Sequence, residues 1–186
     1  MPMPAPPDFA SLSLDAIAAC ARDLTLPPVA RWQPAHCGDS EMRIAADGTW
    51  FHQGSPIARP ELVRLFSTIL RREPDDSYVL VTPAEKLSIA VDDAPFVAVE
   101  MKAEGTGAGA RIAFRLNTGD LVTAGPDHPI RVEGIHSPRP YLHVRDRLEA
   151  LIARPVFYEL AERALTADAH PAGIWSDGAF FALEAA

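Results

Sequence analysis

The chain is poor in cysteine and has no long apolar run. Cys20 and Cys37 are its only cysteines. They show neither CxxC spacing nor the density of a secreted disulfide scaffold, which points to a reducing, cytoplasmic setting. No stretch approaches the roughly 20 apolar residues of a membrane span, so no membrane partner is expected. The opening Met-Pro-Met-Pro-Ala-Pro-Pro-Asp lacks the basic and apolar regions of a signal peptide. Basic charge is also scarce: Lys and Arg number 17 against 25 Asp and Glu, for a net charge of −8. Phosphate attraction needs a concentrated cationic excess, so binding to a nucleic acid polymer is not expected, although a local basic site is allowed. Walker, GxSxG and HExxH sequences are missing, so no cofactor, metal or catalytic residue is expected from motifs.

What is present is the composition of a globular protein, with 48% hydrophobic and 23% charged residues. A chain of 186 residues buries roughly 70% of its unfolded surface and needs no disulfide for stability. An echo runs through it. Asp47-Gly48-Thr49-Trp50-Phe51 returns as Asp177-Gly178-Ala179-Phe180-Phe181, Gly48 and Gly54 share their spacing with Gly119 and Gly125, and Pro56-Ile57 answers Pro129-Ile130. Asp-Gly before aromatics reads as a tight hairpin turn, so the echo suggests two related halves.

Periodicity places the elements. Residues 1–9, with four prolines, read as an extended tail. Leu14, Ile17, Ala18, Ala21 and Leu24 share a helical face that Pro27-Pro28 ends, a lid or brace, and Val29 to Ser40 reads as an ordered linker anchored by Trp32. A hairpin is predicted over Met42–His52. Pro60 opens a helix whose stripe is Leu62, Leu65, Phe66, Ile69 and Leu70, predicted to end near Glu73-Pro74. Tyr78–Val81, Leu87 to Val91, Val97 to Met101 and Ile112 to Leu116 alternate as strands of an antiparallel meander. Asp146 and Glu149 resemble a capping box before Leu148, Leu151 and Ile152, a helix that Pro155 kinks before it resumes from Val156 to Ala164. A Trp175–Leu183 hairpin closes the chain. The fold class is α+β: two small, intertwined, related halves of antiparallel hairpins and meander with packed helices. The divisions are 1–36 for tail, helix and linker, 37–92 for the first half and 93–186 for the second.

Few residues carry chemistry. The glycines at 105, 107 and 109 precede a strand, which makes a hairpin loop and not a dinucleotide cradle. His36, Cys37, Asp39 and Glu41 hold metal-capable atoms, but neighbours on an extended chain point opposite ways. Glu85 and Lys86 likewise face apart and need other partners. Asp92-Asp93-Ala94-Pro95 is turn vocabulary. The strongest local departure is Arg139, Tyr141, His143, Arg145 and Arg147, which alternation puts on one strand face. Such a stripe suits an anionic, planar ligand. Pairing of these arginines with neighbouring carboxylates is the alternative.

Several blocks together resemble a family. They are Cys37-Gly38-Asp39, Asp47 to His52 with Gly54-Ser55-Pro56-Ile57 and Arg59, Leu62 to Ser67 with Ile69 to Glu73, Leu80-Val81-Thr82-Pro83 with Glu85-Lys86, Val91 to Phe96, Asn117 with Gly119-Asp120, His128 to Val132, and Pro140-Tyr141-Leu142 with Val144-Arg145 and Leu148 to Ile152. This pattern, over about residues 36–160, is similar to the bacterial domain of unknown function 1285. The resemblance implies a duplicated core, a C-terminal half superficially like pleckstrin-homology-like folds, a role in signal transduction and a nucleotide-like ligand between the halves. No reaction comes with it.

The resulting expectation is a cytoplasmic sensing module for a small anionic ligand, nucleotide-like, with its protein partner unidentified. Arg59, Arg131 and Arg145 would hold the anion, Trp50 or Tyr141 would stack on a ring, and Thr82, Glu85, Lys86, Asn117 and His128 would supply hydrogen bonds. Two rivals stand beside it. One is a hydrolase-type enzyme with His128 or His52 as base beside Glu85 or Asp93, which needs both in one pocket. The other is a protein-interaction module without a small ligand, which needs an exposed apolar patch.

Overall fold

The computed structural model describes residues 8–167 and 170–184. Most of the expected tail therefore lies outside the described residues. Its last residue does not belong to a tail: Phe9 opens a short 3-10 turn and is 5% exposed. Helix α1 (Leu14–Asp23) follows, capped by Ser13, whose Oγ accepts from Ala16 N–H at 3.1 Å. Its apolar face does not meet the segment that follows in sequence. Phe9, Leu14 and Ile17 cluster with Ala113 and Leu121 of the second half, and Arg111 pairs with Asp15 at 2.8 Å.

The first half contains β1 (His36–Ile44), β2 (Trp50–His52), β3 (Ser55–Pro56), α2 (Pro60–Thr68), β4 (Leu70–Arg72), β5 (Tyr78–Val81) and β6 (Glu85–Val91). The Asp47-Gly48 hairpin forms as predicted: Asp47 Oδ1 accepts from Thr49 N–H at 2.9 Å, and Ile44 faces Trp50. Two expectations need correction here. The linker ends at Ala35, because His36 to Asp39 already pair in parallel with Glu85 to Ser88. Helix α2 stops at Thr68, and Leu70 to Arg72 pair with Leu80 to Tyr78 as a hairpin. The Ser67 and Thr68 hydroxyls bond carbonyls one turn back, at 2.7 Å each, satisfying acceptors at the helix end. Leu70 suits either reading by pattern, and the Glu73–Ser77 turn delivers it opposite Leu80.

The second half contains β7 (Phe96–Glu104), β8 (Arg111–Leu116), β9 (Leu121–Thr123), β10 (Ile130–Glu133), β11 (Arg139–Arg145), β12 (Leu148–Ile152) and α3 (Arg154–Thr166). The predicted helix over Leu148–Ile152 is a strand. Leu148, Ala150 and Ile152 are buried in alternation, Asp146 sits at φ 47° in a hairpin turn instead of capping, and Pro155 starts α3 instead of kinking it. A hairpin of β13 (Gly173–Ser176) and β14 (Ala179–Ala182) completes the described chain.

The halves are related by strand order. The first sheet runs β3-β2-β1-β6-β5-β4 and the second, from its other edge, β9-β8-β7-β12-β11-β10. In each, the first strand of the half pairs in parallel with the sixth. The sheets are therefore mixed, and the expected meander is interrupted at the joint. The motif echo marked this duplication in the wrong phase. Asp177-Gly178 turns β13 into β14, which belong to neither six-stranded sheet. Gly119 lies between the second and third strands of its half, the place Gly54 holds in the first. One core joins both sheets, with Ile44, Trp50 and Leu70 packed in the same cluster as Phe96, Phe114, Leu142 and Leu160.

Candidate functional site

The joint between the halves is built by two adjacent carboxylates facing opposite ways. Asp92 is clasped by Arg43 of β1, whose Nε donates to Oδ1 at 2.9 Å. Asp93 is clasped from the second half: Tyr141 Oη donates to Oδ1 at 2.8 Å, and Arg139 Nη2 to Oδ2. Arg43 holds the Asp92 carboxyl below its ordinary value by hydrogen bonding. Burial, then the bond to Asp93, pushes the Tyr141 phenol up to about 12.

This spends the head of the cationic stripe, and the rest is spent similarly. Arg147 Nη2 bonds Asp76 at 2.6 Å. His143 sets Nε2 2.7 Å from the Asp146 carbonyl and Nδ1 3.1 Å from that of Asp127. Arg145 forms no ion pair among the described residues, although Asp120 and Asp146 act on it at longer range. Its Nη2 donates to the Ser67 carbonyl at 2.7 Å and its guanidinium lies 5.1 Å from the Phe96 ring centroid, so burial draws its affinity for the proton below the ordinary value. Arg131 forms a fork with Glu149 at 2.6 and 2.7 Å, also bonds Glu133, and covers the Tyr141 ring at 4.5 Å. An incoming anion would have to displace these partners.

The remaining sequence-chosen residues do not converge. Trp50 is 1% exposed and stacked on Phe66, so its ring is closed to a ligand in this arrangement. Arg59 is exposed at the start of α2. Thr82 Oγ1 accepts from Ala84 and Glu85 N–H at 3.3 and 3.2 Å, shaping the turn that places Glu85 opposite His36. Lys86 lies 3.8 Å from Glu73. Asn117 ties the halves together, accepting from Val97 N–H at 2.9 Å and donating to the Gly48 carbonyl at 3.2 Å. His128 Nδ1 sits 3.2 Å from the His143 carbonyl. Asp93 is bonded to Arg139 and Tyr141 and His128 lies against the His143 carbonyl, so the acid and base of the enzyme rival are not paired.

A cleft of about 390 Å³ lies where the β10–β11 loop and the end of β12 meet the head of α3. His136, Ser137, Arg139, Arg154, Phe157 and Tyr158 line it beside Pro138 and Leu151. The lining holds Arg139 and Arg154 and no carboxylate. Arg139 shares its charge with Asp93, whereas Arg154 has no partner among the described residues. No side chain caps the start of α3. His136 and Arg154 escape sequence reasoning because no spacing or motif links the β10–β11 loop to the head of α3. A larger hollow, about 650 Å³, lies between α3, the loop before β8 and β13. Its charged groups, Glu162 and Arg163, are opposite in sign and select no ligand charge. Among the described residues no group of three or more His, Cys, Asp and Glu is placed to hold a metal, and no helix is long and apolar enough to cross a membrane.

A domain of unknown function, DUF1285 N-terminal domain, matches residues 27–94, and the DUF1285 C-terminal domain, described as a protein of unknown function, matches 95–183. The chain belongs to the DUF1285 family. The two DUF1285 models meet between Ala94 and Pro95, just past the Asp92-Asp93 clasp. A solved DUF1285 family protein from Silicibacter pomeroyi DSS-3 is 46% identical, with a TM-score of 0.79 over 91% of this chain and 94% of that one. Another from Shewanella baltica OS155 is 25% identical, with a TM-score of 0.52 over 66% of this chain and 91% of that one. No curated protein matches the chain.

Proposed function

We propose that this DUF1285 protein is a binding module for a small anionic ligand of nucleotide type, held in the cleft at the head of α3. The observation that carries the reading is the sign of the cleft: Arg139 and Arg154 face it without an opposing carboxylate in the lining, in a chain of net charge −8. Its volume, about 390 Å³, falls in the range of small-molecule sites. Arg154 and Arg139 bind the phosphate as forked donors, and Phe157 with the exposed ring of Tyr158 flanks a planar base. The ligand sits beside the seam between the halves, because the arginines expected there are engaged internally. No acid and base meet in the cleft, so the role is recognition, in keeping with a signalling function. The likeness of the second half to pleckstrin-homology-like folds belongs to the same reading, supported by a six-stranded sheet followed by α3.

Calorimetry of the full chain against inorganic phosphate, pyrophosphate and the nucleoside monophosphates tests this. Saturable binding is expected, weakened about tenfold or more in Arg154→Ala, since a hydrogen bond to a charged group contributes about 1.5–3 kcal/mol. Absence of heat with every anion at millimolar concentration overturns the proposal, as does unchanged affinity in Arg154→Ala. Ile135 is 78% exposed and Tyr158 62% exposed near the cleft mouth. That apolar rim favours the protein-interaction reading if all anions fail.

A further inference from the structure

We infer that an anion in the cleft and the joint between the halves compete for one guanidinium, Arg139, so that ligand binding loosens the joint. The inference rests on the anion-binding reading just given. Arg139 faces the cleft, yet its Nη2 is bonded to Asp93 in the four-residue crossing from β6 to β7. Its side chain is 51% exposed, whereas that of Asp93 is only 10% exposed. The Arg139 side chain is thus open to solvent while its present partner is enclosed. Asp93 has one other bond, from Tyr141 Oη.

A guanidinium has five donors and can touch two anions, as Arg131 does with Glu133 and Glu149. Two negative charges on one fork repel, however. Charge on the ligand therefore weakens the hold of Arg139 on Asp93, and charge on Asp93 weakens the hold of Arg139 on the ligand, by the same factor in each direction. Asp92 has its own partner in Arg43, and neither residue lines the cleft. The crossing is then fastened to the first half and relaxed toward the second, while Asn117, Arg145 and the shared core go on holding the halves together. The motif Asp-Asp at the crossing thereby acquires a role in which the carboxylates differ: Asp92 is a fixed fastening and Asp93 a releasable one.

Two measurements test the coupling. In the first, pyrophosphate and a nucleoside monophosphate are titrated into wild type and Asp93→Asn. An isosteric amide keeps an acceptor for Tyr141 while removing the competing charge, and affinity is expected to rise about fivefold or more, the lower end of ordinary site-to-site coupling. In the second, amide hydrogen exchange is followed in wild type with and without saturating pyrophosphate. Exchange across residues 92–96 is expected to speed up on binding, the opposite of the protection a rigidifying ligand gives. This arm uses the unaltered chain and stands even if Asp93→Asn folds poorly. If wild type binds but Asp93→Asn binds equally or more weakly, or if exchange at the joint slows or is unchanged, the coupling is overturned while the binding function survives. If neither chain binds any of these anions, both fall together.

Discussion

Tyr141 and Asp93, 48 residues apart, are joined by a hydrogen bond of 2.8 Å that fastens β11 to the crossing between the halves. Tyr141 is 6% exposed, so its hydroxyl has little water to turn to. Tyr141→Phe removes one of the two groups on Asp93 and is expected to cost about 1.5–3 kcal/mol, the range for a bond to a charged acceptor. Urea denaturation checks it.

The same phenol dictates an alkaline limit. Burial and Asp93 raise its folded-state value to about 12, above the ordinary value of about 10 of an unfolded tyrosine. The folded protein therefore holds this proton more tightly. The associated stability is present in full below about pH 10 and is lost as the pH rises toward about 12. Denaturation midpoints measured across that window should fall in wild type and fall less steeply in Tyr141→Phe.

Ser176 holds the terminal hairpin to the second sheet. It is 0% exposed, its Oγ accepts from Ile112 N–H at 2.8 Å and donates to the Ala124 carbonyl at 2.7 Å. Ser176→Ala strips a partner from two buried backbone groups and is expected to cost about 1–3 kcal/mol. The effect should show as a lower denaturant midpoint with an unchanged slope.

The start of helix α2 at Pro60, the Asp47-Gly48 turn and the alternation of Leu87, Ile89 and Val91 were legible because each is a local signal, whereas the expected stripe of α2 was not: Leu65 is 58% exposed, and Val63 packs on the core with Phe66. Leu70–Arg72 and Leu148–Ile152 were not legible either. Both are short apolar segments compatible with either period, and the choice is made by distant partners, Leu80 for one and the parallel strand from Phe96 for the other. The cationic stripe was readable only in part, since β11 ends at Arg145, its register shifts between His143 and Arg145, and Arg147 lies in the turn that follows; the fate of its arginines was not readable. Its neutralising partners come from 46 and 71 residues away, Asp93 for Arg139 and Asp76 for Arg147. The duplication lies in the order of strand pairing, which glycine spacing does not encode. The cleft was hidden for a related reason: His136 and Arg154 are brought together only by the pairing of β11 with β12.

Arg145 spans the halves without an ion pair, and its form matters more than its charge. It donates to the Ser67 carbonyl at 2.7 Å, near the C-terminal end of α2, and lies over Phe96. Cations are favoured at helix C-termini, but an ammonium lacks the planar fork and the stacking face. Arg145→Lys is expected to destabilise by about 1–2 kcal/mol, a loss read by thermal denaturation. Equal stability of the two chains would show that charge alone suffices there.

The two Asp-Gly turns look alike in sequence and should respond differently to alanine. Gly48 at φ +86° and Gly178 at φ +77° both occupy the left-handed region, where a Cβ costs about 1–2 kcal/mol. At Gly178 nothing lies within 4 Å of the added carbon, so that strain is the whole effect. At Gly48 the new carbon would stand 2.6 Å from Asn117 Nδ2 and 3.0 Å from Val97 Cγ2. The methyl thus collides with the amide that bridges the halves, which must give up its bond to the Gly48 carbonyl. Gly48→Ala is expected to cost at least about 1 kcal/mol more than Gly178→Ala, from the lost hydrogen bond alone. Combining it with Asn117→Ala removes part of the obstruction, so the two substitutions should be less than additive in a double-mutant cycle. Strict additivity, or equal costs at the two glycines, would mean that the Asn117 bridge does not constrain the first hairpin.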